Sequence, residues 1–261
     1  MTRFMRCLMA AVFLFPFAAR AEWSSTDLLQ LQLDAWQARG GFHQLSIRGN
    51  APADISSLQD VLDSGEAHLA VLAETASLES EQTLLVQLRQ DWERLARRAL
   101  DNPLATQGYA DYEAFSELNT FTLALHRAIG ERLREMPERP MDAMLELAIR
   151  LQRISSEYLA LTAFPSAGIN AGTREEPLDF SSEAMAFEKS LDKLQAQYAS
   201  NDALSRTLKQ VATRWSFIRG AIPALDDPGS AKVPLLFHRY SGDIAADLSL
   251  VASLAGDDAQ G

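Results

Sequence analysis

Four histidines are the residues of this chain with the widest chemical reach: His43, His68, His126 and His238. None stands three or four positions from another, the spacing at which two imidazoles on one helix close on a metal ion. None has a carboxylate placed as in the two-helix metal motifs. No metal site and no cofactor is therefore expected. Nucleophile chemistry has no firmer footing. There is no G-x-S-x-G turn and no glycine-rich phosphate loop, and the single cysteine is Cys7. Serines gather in pairs such as Ser56-Ser57 and Ser181-Ser182, where hydroxyls suit helix caps. Glu79, Glu81 and Glu93 read as a solvated acidic face. The chain is expected not to be an enzyme.

Three arginines are better candidates for binding than for catalysis. Arg39, Arg150 and Arg153 border apolar helical stripes, and a guanidinium offers a planar fork of donors that matches an oxyanion. They are the candidate ligand-binding residues, with a small anion as the ligand. The competing reading is that their stems cover the stripe while their heads stay in water.

The elements that must position these side chains are helices. Apolar or small residues recur at alternating spacings of three and four, which places them on one helical stripe. Four segments come first: Leu28 to Leu45, Ile55 to Ala76, Leu85 to Ala99, and Phe115 to Ile129. Turn signals separate them, among them Asn50-Ala51-Pro52 and Asp101-Asn102-Pro103. After Pro137-Glu138-Arg139-Pro140 the pattern restarts: Met144 to Leu161, Ala184 to Tyr198, Leu208 to Ile222, and Phe237 to Leu254. The fifth stripe matches the first at an offset of 116, the seventh the third at 123, and the eighth the fourth at 122, with Asp247 as the misfit. Trp92 aligns with Trp215 and Phe115 with Phe237, and an acidic proline loop follows the Trp helix in both halves, the second being Asp226-Asp227-Pro228. No segment alternates with period two. The expectation is an all-α fold of two tandem four-helix-bundle-like repeats, 22–137 and 141–256. The sequence prefers neither side-by-side nor end-to-end packing of the two. Trp92 and Trp215 are expected in the core. Gly40 and Gly41, inside the first stripe, call for close packing, a hinge, or the approach of a ligand.

The first 21 residues read as a cleaved export signal. Arg3 and Arg6 precede an apolar run from Leu8 to Ala19, and Ala19-Arg20-Ala21 supplies small residues at the cleavage positions. Cys7 lies ahead of most of that run, badly placed for lipidation. Of 24 Lys and Arg and 35 Asp and Glu, the remainder keeps 21 and 35, a net charge of −14. That balance disfavours nucleic acid or anionic lipid, which need a basic footprint. No later stretch reaches 18 uninterrupted apolar residues, so no transmembrane segment is expected beyond residue 21. The expected location is the periplasm.

The segment Leu147 to Leu159, with Arg150, Gln152, Arg153 and Glu157, resembles the opening helix of the PilJ-type sensor domain, whose pattern is like A-G-R-Q-R-M-L-S-Q-R. Trp215-Ser216-Phe217-Ile218-Arg219 is similar to that domain's last long helix, and the family's pilus transducers carry the module in tandem. Of the three family arginines only Arg150 stands where the first belongs; Gln152 and Glu157 take the other two places. In the first repeat Gln37 takes the first place and Arg39 the second. The resemblance implies a free-standing sensory module of type IV pilus chemotaxis transducers, without membrane or signalling regions. Such a module would act through an envelope or membrane protein partner. Related bundles bind nitrate through arginines of this helix, which implies a periplasmic small-ligand or oxyanion binder as the alternative.

Overall fold

A computed structural model describes residues 23–164, 178–223 and 231–258. The expected export signal, with Cys7, and the Asp226-Asp227-Pro228 loop lie outside the described residues. Within them the fold is all-α. The helices are α1 (Ser25–Arg48), α2 (Pro52–Thr75), α3 (Glu79–Leu100), α4 (Pro103–Gln107), α5 (Tyr112–Leu133), α6 (Asp142–Ala163), α7 (Phe180–Gln197), α8 (Asp202–Ile218) and α9 (Pro234–Asp258).

Local chemistry sets the ends. Ser24, Asn102, Asp111, Asp179 and Asn201 each cap a helix by accepting a first-turn backbone N–H. Pro52 and Pro103 occupy the first turn, where a missing N–H leaves no bond unmade. The Glu81 carboxylate reaches back to the N–H groups of Ser77 and Leu78 at 3.0 and 3.1 Å. It also accepts from Arg132 on α5 at 3.1 Å.

Each periodic segment became a helix, and its stripe is the buried face. Leu28, Leu31, Ala35, Ala38, Phe42 and Leu45 are all buried, as are Leu85, Leu88, Trp92, Leu95 and Ala99. The stripes stop at the solvent: Ile55 and Leu254 are exposed. Two features depart from the periodic reading. The five residues of α4 are too few to show a period. Beyond Ile218 the helix tightens into a 3₁₀ turn (Arg219–Ala221) that carries Ile222 into the core.

Contacts run around two closed circuits. In one, α1 packs on α2, α2 on α3, α3 on α5 and α5 on α1; in the other, α6 packs on α7, α7 on α8, α8 on α9 and α9 on α6. Side-chain pairs give neighbours in each circuit opposite directions. Arg98 meets Glu117 and Arg132 meets Glu81 across α3 and α5, and Gln152 meets Ser241 while Ser155 meets His238 across α6 and α9. The circuits join through α1 and α6, which run parallel: Ser25 meets Asp142, and Arg39 meets Ser156, both 117 residues apart. The cores interpenetrate at that join. Leu29, Leu33 and Trp36 of α1 belong to the apolar cluster of the second circuit, and Ala160 and Phe164 to that of the first.

Both aligned tryptophans are buried, with different companions. Trp92 lies so close to α2 that a Cβ on Gly65 would stand 2.0 Å from its ring. Trp215 instead packs on Phe187, ring centroids 4.6 Å apart, and donates to Glu188 at 2.9 Å. Asp247, the misfit in the eighth stripe, pairs with Arg214 of α8. An ion pair there replaces an apolar contact.

Candidate functional site

The join between α1 and α6 concentrates the buried polar chemistry. Both helices are buried on nearly every face, so their polar residues must find partners inside the protein. Ser25 donates to the Asp142 carboxylate at 2.9 Å. Arg39 is fully enclosed; its Nε donates to Asn119 Oδ1 at 2.6 Å and its Nη1 to Ser156 Oγ at 2.8 Å. Its Nη2 stands 3.2 Å from Glu157 Oε1, a charge contact in which the N–H is not aimed at the oxygen. Burial pushes the Arg39 guanidinium down from its ordinary range, and the Glu157 carboxylate holds it charged against that. Trp36 lies between the two circuits, with the guanidinium carbons of Arg39 and Arg153 each 5.7 Å from its ring centroid. Its Nε1 reaches His126 Nδ1 at 3.4 Å. An indole N–H can only donate, so Nδ1 accepts and the His126 proton sits on Nε2.

His43 follows one turn after Arg39. It is fully buried among Phe42, Phe115 and Phe164, with ring centroids 5.1 to 5.9 Å away. Neither ring nitrogen has a hydrogen-bond partner among the described residues. Burial first, and then the Arg39 charge, push the imidazole well below its usual range, so it is neutral.

Beside this seam a cleft of mixed polar and apolar lining opens between α2 and α9, floored by α1 and α6. Its inner part, about 160 Å³, is lined by Gln37, Gly41 and Gln44 of α1, Asp54, Ser57, Leu58 and Val61 of α2, Gln152 of α6, and His238 and Gly242 of α9. An outer part of about 500 Å³ shares Gln44, Ser57, His238 and Gly242 and adds Arg48, Leu235, Leu236, Arg239 and Asp243 at the mouth. The lining is braced from behind. Gln152 donates to the Ser241 carbonyl at 2.8 Å, Gln44 to Asp54 at 2.9 Å, and Ser155 engages His238 Nδ1 at 3.0 Å. Burial pushes the His238 imidazole down to about 4. The paired glycines of α1 are explained by close approach: a Cβ on Gly40 would stand 3.2 Å from His238 Cε1, and one on Gly41 3.0 Å from Leu58.

A third polar group lies further along α1 and α2. Ser64 donates to Asp34 at 3.0 Å, and the His68 ring lies 3.9 Å from Asp34 and 3.8 Å from Asp27. Desolvation pushes the Asp34 carboxyl up to about 7, against the pull of His68 and of the Ser64 hydrogen bond. Among the described residues, no three His, Cys, Asp or Glu side chains are placed to hold a metal ion.

The three candidate arginines do not converge. Arg39 and Arg153 come together at Trp36. Arg150, with 38% of its side chain exposed, turns the other way and pairs with Glu183 of α7. The anion that faces Arg39 is the chain's own Glu157. Sequence reasoning named Gln37 and Gln152 only as residues in arginine places, and missed Gln44 and the buried Asp34. One signal was available: Gln32, Asp34, Arg39 and His43 lie off the apolar stripe of a helix whose other faces are also apolar. Such a helix is buried all round.

Among the described residues, no helix is long and apolar enough to cross a membrane. Comparison of the chain with models of protein families, with curated proteins and with solved structures finds no match in any of the three.

Proposed function

We propose that this chain is an exported, non-catalytic sensing or adaptor module of the PilJ-like kind, built as two related four-helix units, which acts by engaging an envelope membrane protein. Type IV pilus motility or surface sensing is the process it would serve. The observation that supports this reading is the seam. A parallel pair of central helices, tied by Ser25–Asp142 and by Arg39 with Ser156 and Glu157, makes the two units one body. A displacement at one end of α1 is then felt by α6 rather than absorbed in a linker. The test is deletion of the gene followed by measurement of pilus-driven surface movement, together with cross-linking of the chain to a candidate pilus transducer in intact cells. Loss of movement, restored by the wild-type gene, and a cross-link to the transducer are expected. Unchanged movement with no cross-linked membrane protein contradicts the reading.

A second reading, a small-ligand or oxyanion binder, draws on the convergence of Arg39 and Arg153 on Trp36. An oxyanion entering there has to displace Glu157 from Arg39. Nitrate would then bind more tightly to Glu157→Gln than to the wild type, and equal or absent binding to both removes this reading.

A further inference from the structure

We infer that the cleft between α2 and α9 is a binding site for an amide-bearing small molecule of zero net charge, a short peptide or a free carboxamide amino acid. The inference rests on the sensory part of the reading above, and not on its partner.

The first support is what lines the cleft. Gln44 and Gln152 each place one N–H, on Asp54 and on the Ser241 carbonyl, and these bonds hold their carboxamides in the cleft wall. The Gln37 amide and the Ser57 hydroxyl line the same cavity and can both donate and accept. Ser155 takes Nδ1 of His238, so Nε2 is left for a ligand. A peptide or carboxamide group, one N–H beside one C=O, is the complement of such a wall. Charge at the mouth balances: Arg48 and Asp54 neutralise one another at 3.2 Å, Arg239 stands with Asp243, and the inner wall adds no uncompensated cation. A simple oxyanion finds no net positive field there, whereas a zwitterion finds both signs.

The second support is Gly242. It lies inside α9, where glycine is about 1 kcal/mol less favourable than alanine. Gly41 across the cleft is needed for packing against Leu58. A Cβ on Gly242, by contrast, would meet nothing within 4 Å. No packing contact requires the glycine, and its absent side chain keeps the cleft open. The inner volume of about 160 Å³ equals roughly five water molecules, the scale of one amide unit and its neighbours. The outer part gives room for the rest of a dipeptide.

The experiment is calorimetric and thermal-shift titration of the purified protein with glycylglycine and with L-glutamine, using sodium nitrate and L-glutamate as charged controls. Saturable binding of glycylglycine or L-glutamine at millimolar concentration or below is expected, with weaker response to the controls. Gly242→Leu, whose side chain projects into the cleft, should abolish it. Gln44→Met, which keeps the volume and removes the amide, should weaken it roughly tenfold and serves as the check if the leucine variant fails to fold. No saturable binding of either probe, tighter binding of nitrate in the cleft, or binding untouched by both variants overturns the inference. None of these outcomes bears on the membrane partner, which the motility and cross-linking experiment tests separately.

Discussion

Glu157→Gln removes one charge from the seam and keeps the shape. Arg39 is fully enclosed and Glu157 nearly so, so the guanidinium is left with hydrogen bonds to Asn119 and Ser156 and no anion at 3.2 Å. Breaking a buried ion pair from one side costs about 3–5 kcal/mol, because the remaining charge stays in a poorly solvating interior. A chain of this size loses about 2–4 °C in melting temperature per kcal/mol, so a fall of roughly 6–20 °C is expected. Urea unfolding followed by circular dichroism measures the free energy, and a thermal scan gives the shift. Arg39→Met combined with Glu157→Leu removes both charges at similar volume and should recover part of the loss, less what Asn119 and Ser156 lose as partners. A Glu157→Gln variant within about 1 kcal/mol of the wild type would refute the reasoning, since it would mean that water already compensates Arg39.

Gly65→Ala should destabilise by about 1–3 kcal/mol in urea titration despite alanine's better helix propensity, because the new Cβ falls 2.0 Å from the Trp92 ring. Arg150→Ala should stay within about 1 kcal/mol of the wild type, since the Arg150–Glu183 pair is partly exposed. Asp34 has a folded-state pKa raised to about 7, so its stabilising protonated form is fully present below its ordinary value and lost as pH rises through 7. Asp34→Asn should therefore stabilise the protein at pH 8 and make little difference near pH 4, measured as the difference in unfolding free energy. His238 and His43 act in the opposite sense. Their folded-state pKa values are depressed, to about 4 for His238 and well below normal for His43. The stability they contribute is intact above about pH 6.5 and falls as pH drops from there through the folded value. His238→Gln should flatten the loss of stability between about pH 6.5 and 4, read from urea midpoints across that range.

Much of the fold was legible because burial on one face imposes a period. The stripe from Leu28 to Leu45 comes within three residues of both ends of α1 and that from Leu85 to Ala99 within six and one of the ends of α3, and Pro52 and Pro103 of the turn signals stand in the first turns of α2 and α4. What did not show was the pairing of α1 with α6. A stripe identifies one buried face, and these two helices bury several. Trp36 and Arg39 stand off the stripe through Ala35 and Ala38, yet both are enclosed, because the second circuit covers the face that a single bundle leaves to water. The donors of the arginines are visible in the sequence; that Glu157 already meets Arg39 and that Arg150 turns to Glu183 are not. The cleft was invisible for a related reason. Its walls come from four helices, and glutamines contribute nothing to an apolar period. Gly40 and Gly41, helix-interior glycines with a cost, answer to close packing against His238 and Leu58.

The union of the two circuits through α1 and α6 is tested most directly by hydrogen exchange, followed by mass spectrometry, on the wild type and on Glu157→Gln. Loss of the charge contact should raise exchange in α1 and α6 together, and with them in the α5 and α9 segments that hold Asn119 and Ser241. Faster exchange confined to α6 and its own circuit, with α1 and α5 protected as in the wild type, would show two bundles that merely touch.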